Sequence, residues 1–318
     1  MRSLSFILLF LVWGVCGVQG ATVFRICAFN IQSFGEGKAS KTKVMHTIVR
    51  VRQTQRWIGS SIFAPCLEHL YDSAHEYDAV QSERLGRSDT YQEQYVFVYR
   101  TGTVTVTDQY QYPDTLKGDI DAFAREPFVV RFSAPKTALK DFVLIPLHTS
   151  PNNTTKELDA VVDVFNDIRK KWKTENVIFL GDFNADCGYL AKKNRKNVRL
   201  ITDPAFIWLI NDKNDTTVRK STDCAYDRIV VHGEKVARAI VPLSAKPFNF
   251  KKEFRLSEDQ ALEVSDHYPV EVLLKASASR QQQVSLSLLL ILLALTFNSI
   301  TLYNKSHLSD RDLQLSAV

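Results

Sequence analysis

Asn176-Val177-Ile178-Phe179-Leu180-Gly181-Asp182-Phe183-Asn184-Ala185-Asp186 is a short apolar run that stops on a cluster of oxygen-bearing side chains. The run has the length and the β-branched and aromatic content of a buried strand. In α/β sheets, functional groups gather at the carboxyl ends of such strands. Asp182 and Asn184 are therefore candidate ligands for a hard divalent cation, which carboxylate and amide oxygens hold well. Near the other end of the soluble-looking region stands Ser265-Asp266-His267-Tyr268. Its histidine can carry protons near neutral pH. Metal-binding oxygens joined to a proton-transfer group are what a metal-assisted phosphodiesterase requires.

Working outward, strand-like segments recur at Val23 to Phe29, Tyr95 to Tyr99, Val104 to Tyr112, Pro127 to Phe132, Asp141 to His148, Arg228 to His232 and Pro269 to Leu274. Thr155 to Trp172 reads as an amphipathic helix, with Leu158, Val161, Val162, Phe165, Ile168 and Trp172 at helical spacing. Strands interleaved with covering helices predict a layered α/β sandwich, with one domain over residues 21–275. No internal repeat is present.

The 318 residues are 45% hydrophobic and 24% charged, an ordinary globular composition. A net charge of +5 permits a polyanionic partner without demanding one. Residues 1–20 read as a secretory signal peptide: Arg2, the apolar run Phe6 to Val15, then Val18-Gln19-Gly20. The mature chain is then secretory, and either extracellular or membrane-anchored. Residues 276–318 change character. Small residues and the polar Arg280 to Gln283 lead into a hydrophobic segment at about 284–302, followed by a short polar tail. This pattern predicts membrane association, by a glycolipid anchor or a short transmembrane helix.

Cys27, Cys66, Cys187 and Cys224 remain after the signal peptide. Four cysteines allow three pairings. Cys187–Cys224 is preferred, because it would tie two motif-bearing loops. No Cys-x-x-Cys or paired-His spacing suggests zinc. Asn152, Asn153 and Asn214 head glycosylation sequons.

Other chemistry-bearing residues occupy similar strand-end settings. Asn30 closes the first strand, and its amide can join a metal shell. Glu93, in Tyr91-Gln92-Glu93-Gln94-Tyr95, can orient a histidine by accepting its N–H. His148 ends Phe142 to Leu147, and Asp227 can pair with His267 and fix its tautomer. Asp266 suits a metal or a backbone cap. Arg125 is either a bidentate phosphate clamp or the partner of a nearby acid such as Glu126. The run Lys192-Lys193-Asn194-Arg195-Lys196 reads as a solvated loop or a phosphate contact.

Taken together, Phe29-Asn30-Ile31, Tyr91-x-Glu93-x-Tyr95, Arg125-Glu126-Pro127, Leu147-His148-Thr149, Gly181 to Cys187, Cys224-Ala225-Tyr226-Asp227-Arg228 and Ser265 to Val270 resemble the deoxyribonuclease I family. The resemblance spans nearly all of 21–275. The hydrophobic C-terminus is similar to the membrane-associated branch of that family, and internal segments are similar to its gamma branch. The resemblance implies a two-sheet α/β sandwich of the endonuclease/exonuclease/phosphatase type. It implies cleavage of DNA to 5′-phosphate ends with Mg²⁺ and Ca²⁺, by a monomer; whether an inhibitor such as actin binds is left open. It implies two acid–histidine pairs, His148 with Glu93 and His267 with Asp227. Asn30, Asp182, Asn184 and Asp266 would hold metal or the scissile phosphate, and Tyr91, Arg125 and Tyr226 would touch the DNA backbone. A lipid or sugar phosphodiesterase is disfavoured by Cys224 to Arg228 and Asp121 to Pro127.

One departure stands out. After Val51 the family continues into a buried strand ending in Gln-Glu, whose Glu is a metal ligand. Here the chain reads Arg52-Gln53-Thr54-Gln55-Arg56-Trp57-Ile58-Gly59-Ser60-Ser61, without an apolar strand and without an acid. Glu68, next in line, has helical surroundings and does not substitute. The expectation is a sandwich with one central strand missing and strongly reduced activity. The alternative function is a catalytically impaired DNA-binding variant.

Overall fold

Alternation within single strands builds this fold. The computed structural model describes residues 24–55, 58–60, 76–88, 91–113, 121–277 and 295–296, with backbone alone at 52–55 and 58–60. The chain divides into two units, 1–276 and 277–318. The predicted signal peptide, Cys66, Glu68 and almost all of the hydrophobic C-terminal segment lie outside the described residues. Among the described residues, no helix is long and apolar enough to cross a membrane.

The second sheet carries six strands: β7 (Thr105–Gln111), β8 (Phe128–Ala134), β9 (Lys140–His148), β10 (Val177–Asp182), β11 (Phe206–Trp208) and β12 (Asp227–His232). Their order is β11-β12-β10-β9-β8-β7, with β10 parallel to β9 and antiparallel to β12. Successive residues of a strand face opposite sides. In β9 and β10, Phe142, Leu144, Ile178 and Leu180 point to one core, while Val143, Ile145, Val177 and Phe179 point to another. Both faces are therefore apolar, as expected for a central strand covered on both sides. Each such side chain contributes about 1.5–3 kcal/mol on burial.

The outer face is covered by the predicted amphipathic helix, here Thr154–Trp172. Val161, Phe165, Ile168 and Trp172 face the sheet. Arg169, Lys170 and Lys171 fill its last turn, where the helix dipole favours cations, and Lys173 closes it in the left-handed conformation.

The inner face meets a first sheet that comes in two parts. One is β1 (Phe24–Ala28), β14 (Val270–Leu274) and β13 (Lys246–Pro247), in the order β1-β14-β13. The other is β2 (Ile58–Ser60), β6 (Val96–Arg100) and β3 (Tyr77–Gln81), in the order β2-β6-β3. A small hairpin, β4 (Leu85–Ser88) with β5 (Tyr91–Glu93), stands apart. Ile26, Ala28, Phe97, Val270 and Val272 supply the first sheet's half of the shared core. Two further helices, Thr42–Gln55 and Glu258–Val264, pack over Phe29, Phe250 and Tyr268 on the far side. The second begins with a capping box between Ser257 and Gln260.

The expectation of a missing strand between Val51 and Phe63 is corrected in part. Ile58–Ser60 forms a strand that pairs with Tyr99, Val98 and Phe97 of β6 and lies beside β1. Backbone hydrogen bonding on an available strand edge needs no apolar run, so three residues suffice. They are too few to ladder both neighbours, and the sheet stays divided. Ile58-Gly59-Ser60 brings no acid.

Candidate active site

Sheet register assembles the centre. His148 pairs with Asp182 across β9 and β10, and Asp182 pairs with Asp227 across β10 and β12. Three strands thereby bring three predicted residues onto one row. The row requires close backbone approach at its middle. Gly181 has φ +134°, and a Cβ there would sit 2.2 Å from the Leu147 carbonyl oxygen. Only glycine fits that position without strain.

Two acid–histidine pairs flank the row. His148 Nδ1 donates to Glu93 Oε2 at 2.6 Å, and His267 Nδ1 donates to Asp227 Oδ2 at 2.7 Å. A carboxylate can only accept, so each bond places the proton on Nδ1 and leaves Nε2 for chemistry. The Nε2 atoms of His148 and His267 stand 3.4 and 3.6 Å from Asp182 Oδ2. The sequence-derived pairing is thus the observed one.

Asp182 is held from every side. Asn30 Nδ2 donates to its Oδ2 at 3.0 Å, and the Asn184 backbone N–H donates to its Oδ1 at 3.0 Å. Asn184, in the left-handed conformation, gives its amide hydrogen to Thr149 O at 2.9 Å. Asp266 Oδ2 accepts from Gln32 at 3.0 Å. Ser265 bonds Asn30 O at 2.6 Å and receives the His267 N–H at 3.0 Å, locking the first strand to the Asp-His motif.

Electrostatics follow from this crowding. Burial would raise the Glu93 carboxyl, but the hydrogen bond and charge of His148, with Arg125 and Tyr91, hold it at about 2. Burial would lower His267, but Asp227, Asp182 and Asp266 around the ring push it up to about 10. Asp182 lies below its ordinary value despite burial, because both histidines face it. Burial pushes Asp227 up, with Asp182 adding to it. In the tightly coupled Asp227–His267 pair the proton rests on the imidazole, since three carboxylates surround it.

The DNA-contact candidates separate. Tyr91 is 63% exposed at the rim. Tyr226 lies 6.2 Å from the His267 ring. Arg125 is only 7% exposed; it donates to the carbonyls of His148 at 3.1 Å and Thr149 at 3.4 Å, and it pairs with Glu93 at 3.4 Å. Its acidic partner is Glu93, rather than the Glu126 suggested by sequence proximity. A cavity of about 350 Å³ opens here, lined by Asn30, Tyr91, Glu93, Arg125, His148 and Asp182.

The preferred disulfide is present: Cys187 and Cys224 are joined, with Cα atoms 5.9 Å apart. Among the described residues Cys27 has no disulfide partner, and it is buried. Beneath the bridge, Arg228, 1% exposed, reaches the carbonyls of Ala225, Ile210 and Ala185 and the carboxylate of Asp212.

A model of the endonuclease/exonuclease/phosphatase family matches residues 28–267. Deoxyribonuclease gamma of Rattus norvegicus is 47% identical over 274 residues, 83% of this chain and 88% of that protein. Deoxyribonuclease-1 of Sus scrofa is 46% identical over 269 residues, 81% of this chain and 94% of that protein. The chain belongs to the deoxyribonuclease I family. Among solved structures, D. rerio TDP2 humanized by 14 mutations superposes with a TM-score of 0.54 at 14% identity, covering 80% of this chain and 99% of that one. At that identity the likeness concerns the sandwich fold alone.

Deoxyribonuclease I family enzymes of this fold use a divalent metal, and the donor set here fits one. Among the described residues, Asp227 Oδ1 and Asp266 Oδ1 are buried without a hydrogen-bond partner. The amide nitrogens of Asn30 and Asn184 are spent on Asp182 and Thr149 O, which leaves their oxygens as the ligating ends. Ligand atoms of Asp182, Asp227 and His267 also lie within 4.8 Å of one another. That cluster shares only Asp182 with the sequence-predicted metal set. His267 and Asp227 are already bonded to each other, so the oxygen set suits a hard cation better.

Two neighbours of the candidate site, Tyr95 and Glu157, were given no role by sequence reading. The Tyr95 hydroxyl receives the His148 backbone N–H at 3.0 Å and donates to Arg125 O at 3.3 Å. Glu157, 0% exposed, accepts the Ser150 N–H at 3.1 Å and is pushed up by burial. The available signal was an acid falling within the apolar stripe of the Thr154–Trp172 helix.

Proposed function

We propose that this protein is a divalent-metal-dependent endodeoxyribonuclease that hydrolyses DNA phosphodiester bonds to 5′-phosphate ends by histidine acid–base catalysis. The observation that carries this reading is the pair of Nε2 atoms, each backed by a carboxylate, on either side of Asp182 Oδ2. Phosphodiester hydrolysis needs a proton removed from water and a proton delivered to the leaving 3′-oxygen. Two oriented imidazoles at one centre supply both. Glu93 and Asp227 hold each ring in the useful tautomer and stabilise its charged form. Asn30, Asp182, Asn184 and Asp266 would hold Mg²⁺ or Ca²⁺. A bound cation there would neutralise charge developing on the phosphorane. Tyr91 and Tyr226 at the rim would meet the sugar-phosphate backbone, giving weak sequence preference. Arg125 supports the His148 strand end and lines the cavity, where it would contact a backbone phosphate. A monomer acting in an oxidising compartment, tethered through the C-terminal segment, completes the proposal; the disulfide supports the oxidising setting.

A second reading is favoured by one observation: the short β2 carries no acid where the family places a metal-binding Glu. On that reading the chain binds DNA without cutting it. Plasmid nicking by the purified protein with Mg²⁺ and Ca²⁺, beside His148→Ala, separates the two. Nicking that disappears in the variant supports the nuclease; a folded parent that binds plasmid but never nicks it supports the second reading.

A further inference from the structure

The loop leaving β10 extends the site outward. After Asn184 it passes Asp186 and Cys187 to Tyr189, then turns through a 3-10 helix, Lys192–Asn197, of sequence Lys-Lys-Asn-Arg-Lys-Asn. The four basic residues divide into two sets. Arg195 turns inward and pairs with Asp186 at 3.2 Å and with Asp212. Asp186 also accepts the Ala225 N–H at 3.0 Å, and the neighbouring Cys187 is bonded to Cys224. The turn is thus anchored to the segment that carries Tyr226 and Asp227. Lys192, Lys193 and Lys196 point outward. Among the described residues none of the three meets an acidic partner.

A track of rings joins this turn to the catalytic centre. Tyr189, 43% exposed, lies against Tyr226 with centroids 5.1 Å apart and planes at 35°. Tyr226 lies 6.2 Å from the His267 ring. An anchored turn with three uncompensated cations, reached from the scissile centre past the half-buried Tyr226 and the exposed Tyr189, matches a partner whose negative charges repeat along a line. A solvated lysine loop needs neither the inward Arg195 anchor nor the disulfide beneath it.

We infer that Lys192, Lys193 and Lys196 form an outlying contact surface for duplex DNA, gripping backbone phosphates beyond Tyr189 on the His267 side of the cut. The inference rests on the nuclease reading above and adds a second, non-catalytic set of phosphate contacts. An anionic lipid surface could engage the same lysines, but it offers no role for the ring track that leads from them to His267.

The test uses the full-length protein carrying His148→Ala, so that binding is read without turnover. Lys192→Ser, Lys193→Ser and Lys196→Ser are combined, and the dissociation constant for a long duplex is measured against salt. Each phosphate contact adds about 0.9 to the slope of log affinity against log salt. The expected result is a slope shallower by about 2–3 units and binding weakened roughly tenfold or more at low salt, with an unchanged melting temperature. In the catalytically intact protein, nicking efficiency falls by the same factor. A charge reversal at Lys193 alone, Lys193→Glu, weakens binding in the same direction and guards against misfolding of the triple variant. An unchanged slope in a parent that nicks DNA overturns this inference alone. So does loss of binding to phosphatidylserine vesicles with the duplex slope intact. A parent that never nicks overturns the nuclease reading instead, while the salt slope still decides this one.

Discussion

Asp182 Oδ2 is the meeting point of both histidines: His148 Nε2 stands 3.4 Å away and His267 Nε2 3.6 Å. Residues that act on one centre behave as a unit, and their losses do not add. His148→Ala and His267→Ala should each lower nicking by about 10²–10⁴-fold. The double variant should be little worse than either single one. Fully multiplicative losses in kcat/KM would show that the two rings work independently.

Glu93 links protonation to stability. Its carboxyl sits near 2 when folded, below the ordinary 4.5, chiefly because His148 outweighs the cost of burial. A depressed acid stabilises the fold above its unfolded value and loses that contribution as pH falls through its folded value. Parent and Glu93→Gln should therefore differ in melting temperature at pH 6, converge below about 4.5 and coincide near 2. A difference that persists to the lowest pH would contradict this origin.

Glu157 acts at one remove from His148, through the Ser150 N–H that its carboxylate receives. Glu157→Leu leaves that half-buried donor without its acceptor, at a cost of about 1 kcal/mol. Part of the disturbance should appear as a lower kcat with KM nearly unchanged, and Glu157→Gln, which keeps an acceptor, should restore most of it. Equal kcat in all three proteins would confine Glu157 to a purely structural role.

Gly181 permits the row to close. Gly181→Ala meets the Leu147 carbonyl at 2.2 Å from a left-handed backbone. Destabilisation on the order of 3 kcal/mol or more is expected from clash and strain together. The midpoint of urea unfolding measures it.

The Cys187–Cys224 bridge closes a 37-residue separation. Replacing both with Ala should cost about 3–4 kcal/mol if chain entropy dominates. Thermal melting with and without a reductant checks this: the parent should fall toward the variant, and the variant should not respond.

All eight strand-like segments and the long helix were legible because each carries a periodic or continuous apolar signal. The acid–histidine pairs were legible because strand ends place acids and histidines in recognisable motifs. What stayed hidden lacks such a signal. β3, β4, β5 and β11 are short and partly exposed, too short to carry a readable alternation of apolar and polar residues. β2 was hidden for the same reason, since Ile58-Gly59-Ser60 has no alternation to read. The inward role of Arg125 was invisible because its partners are carbonyls of His148 and Thr149, distant in sequence. Contacts with backbone atoms leave no trace in side-chain patterns.

His148, Asp182 and Asp227 are neighbours only through the hydrogen-bonded register of three strands. No short piece of the polypeptide contains the centre, and no partly assembled sheet presents it. A chain still being synthesised lacks the row until β12 has emerged and paired with β10. The site is therefore a late product of folding, complete only when β9, β10 and β12 have docked in register.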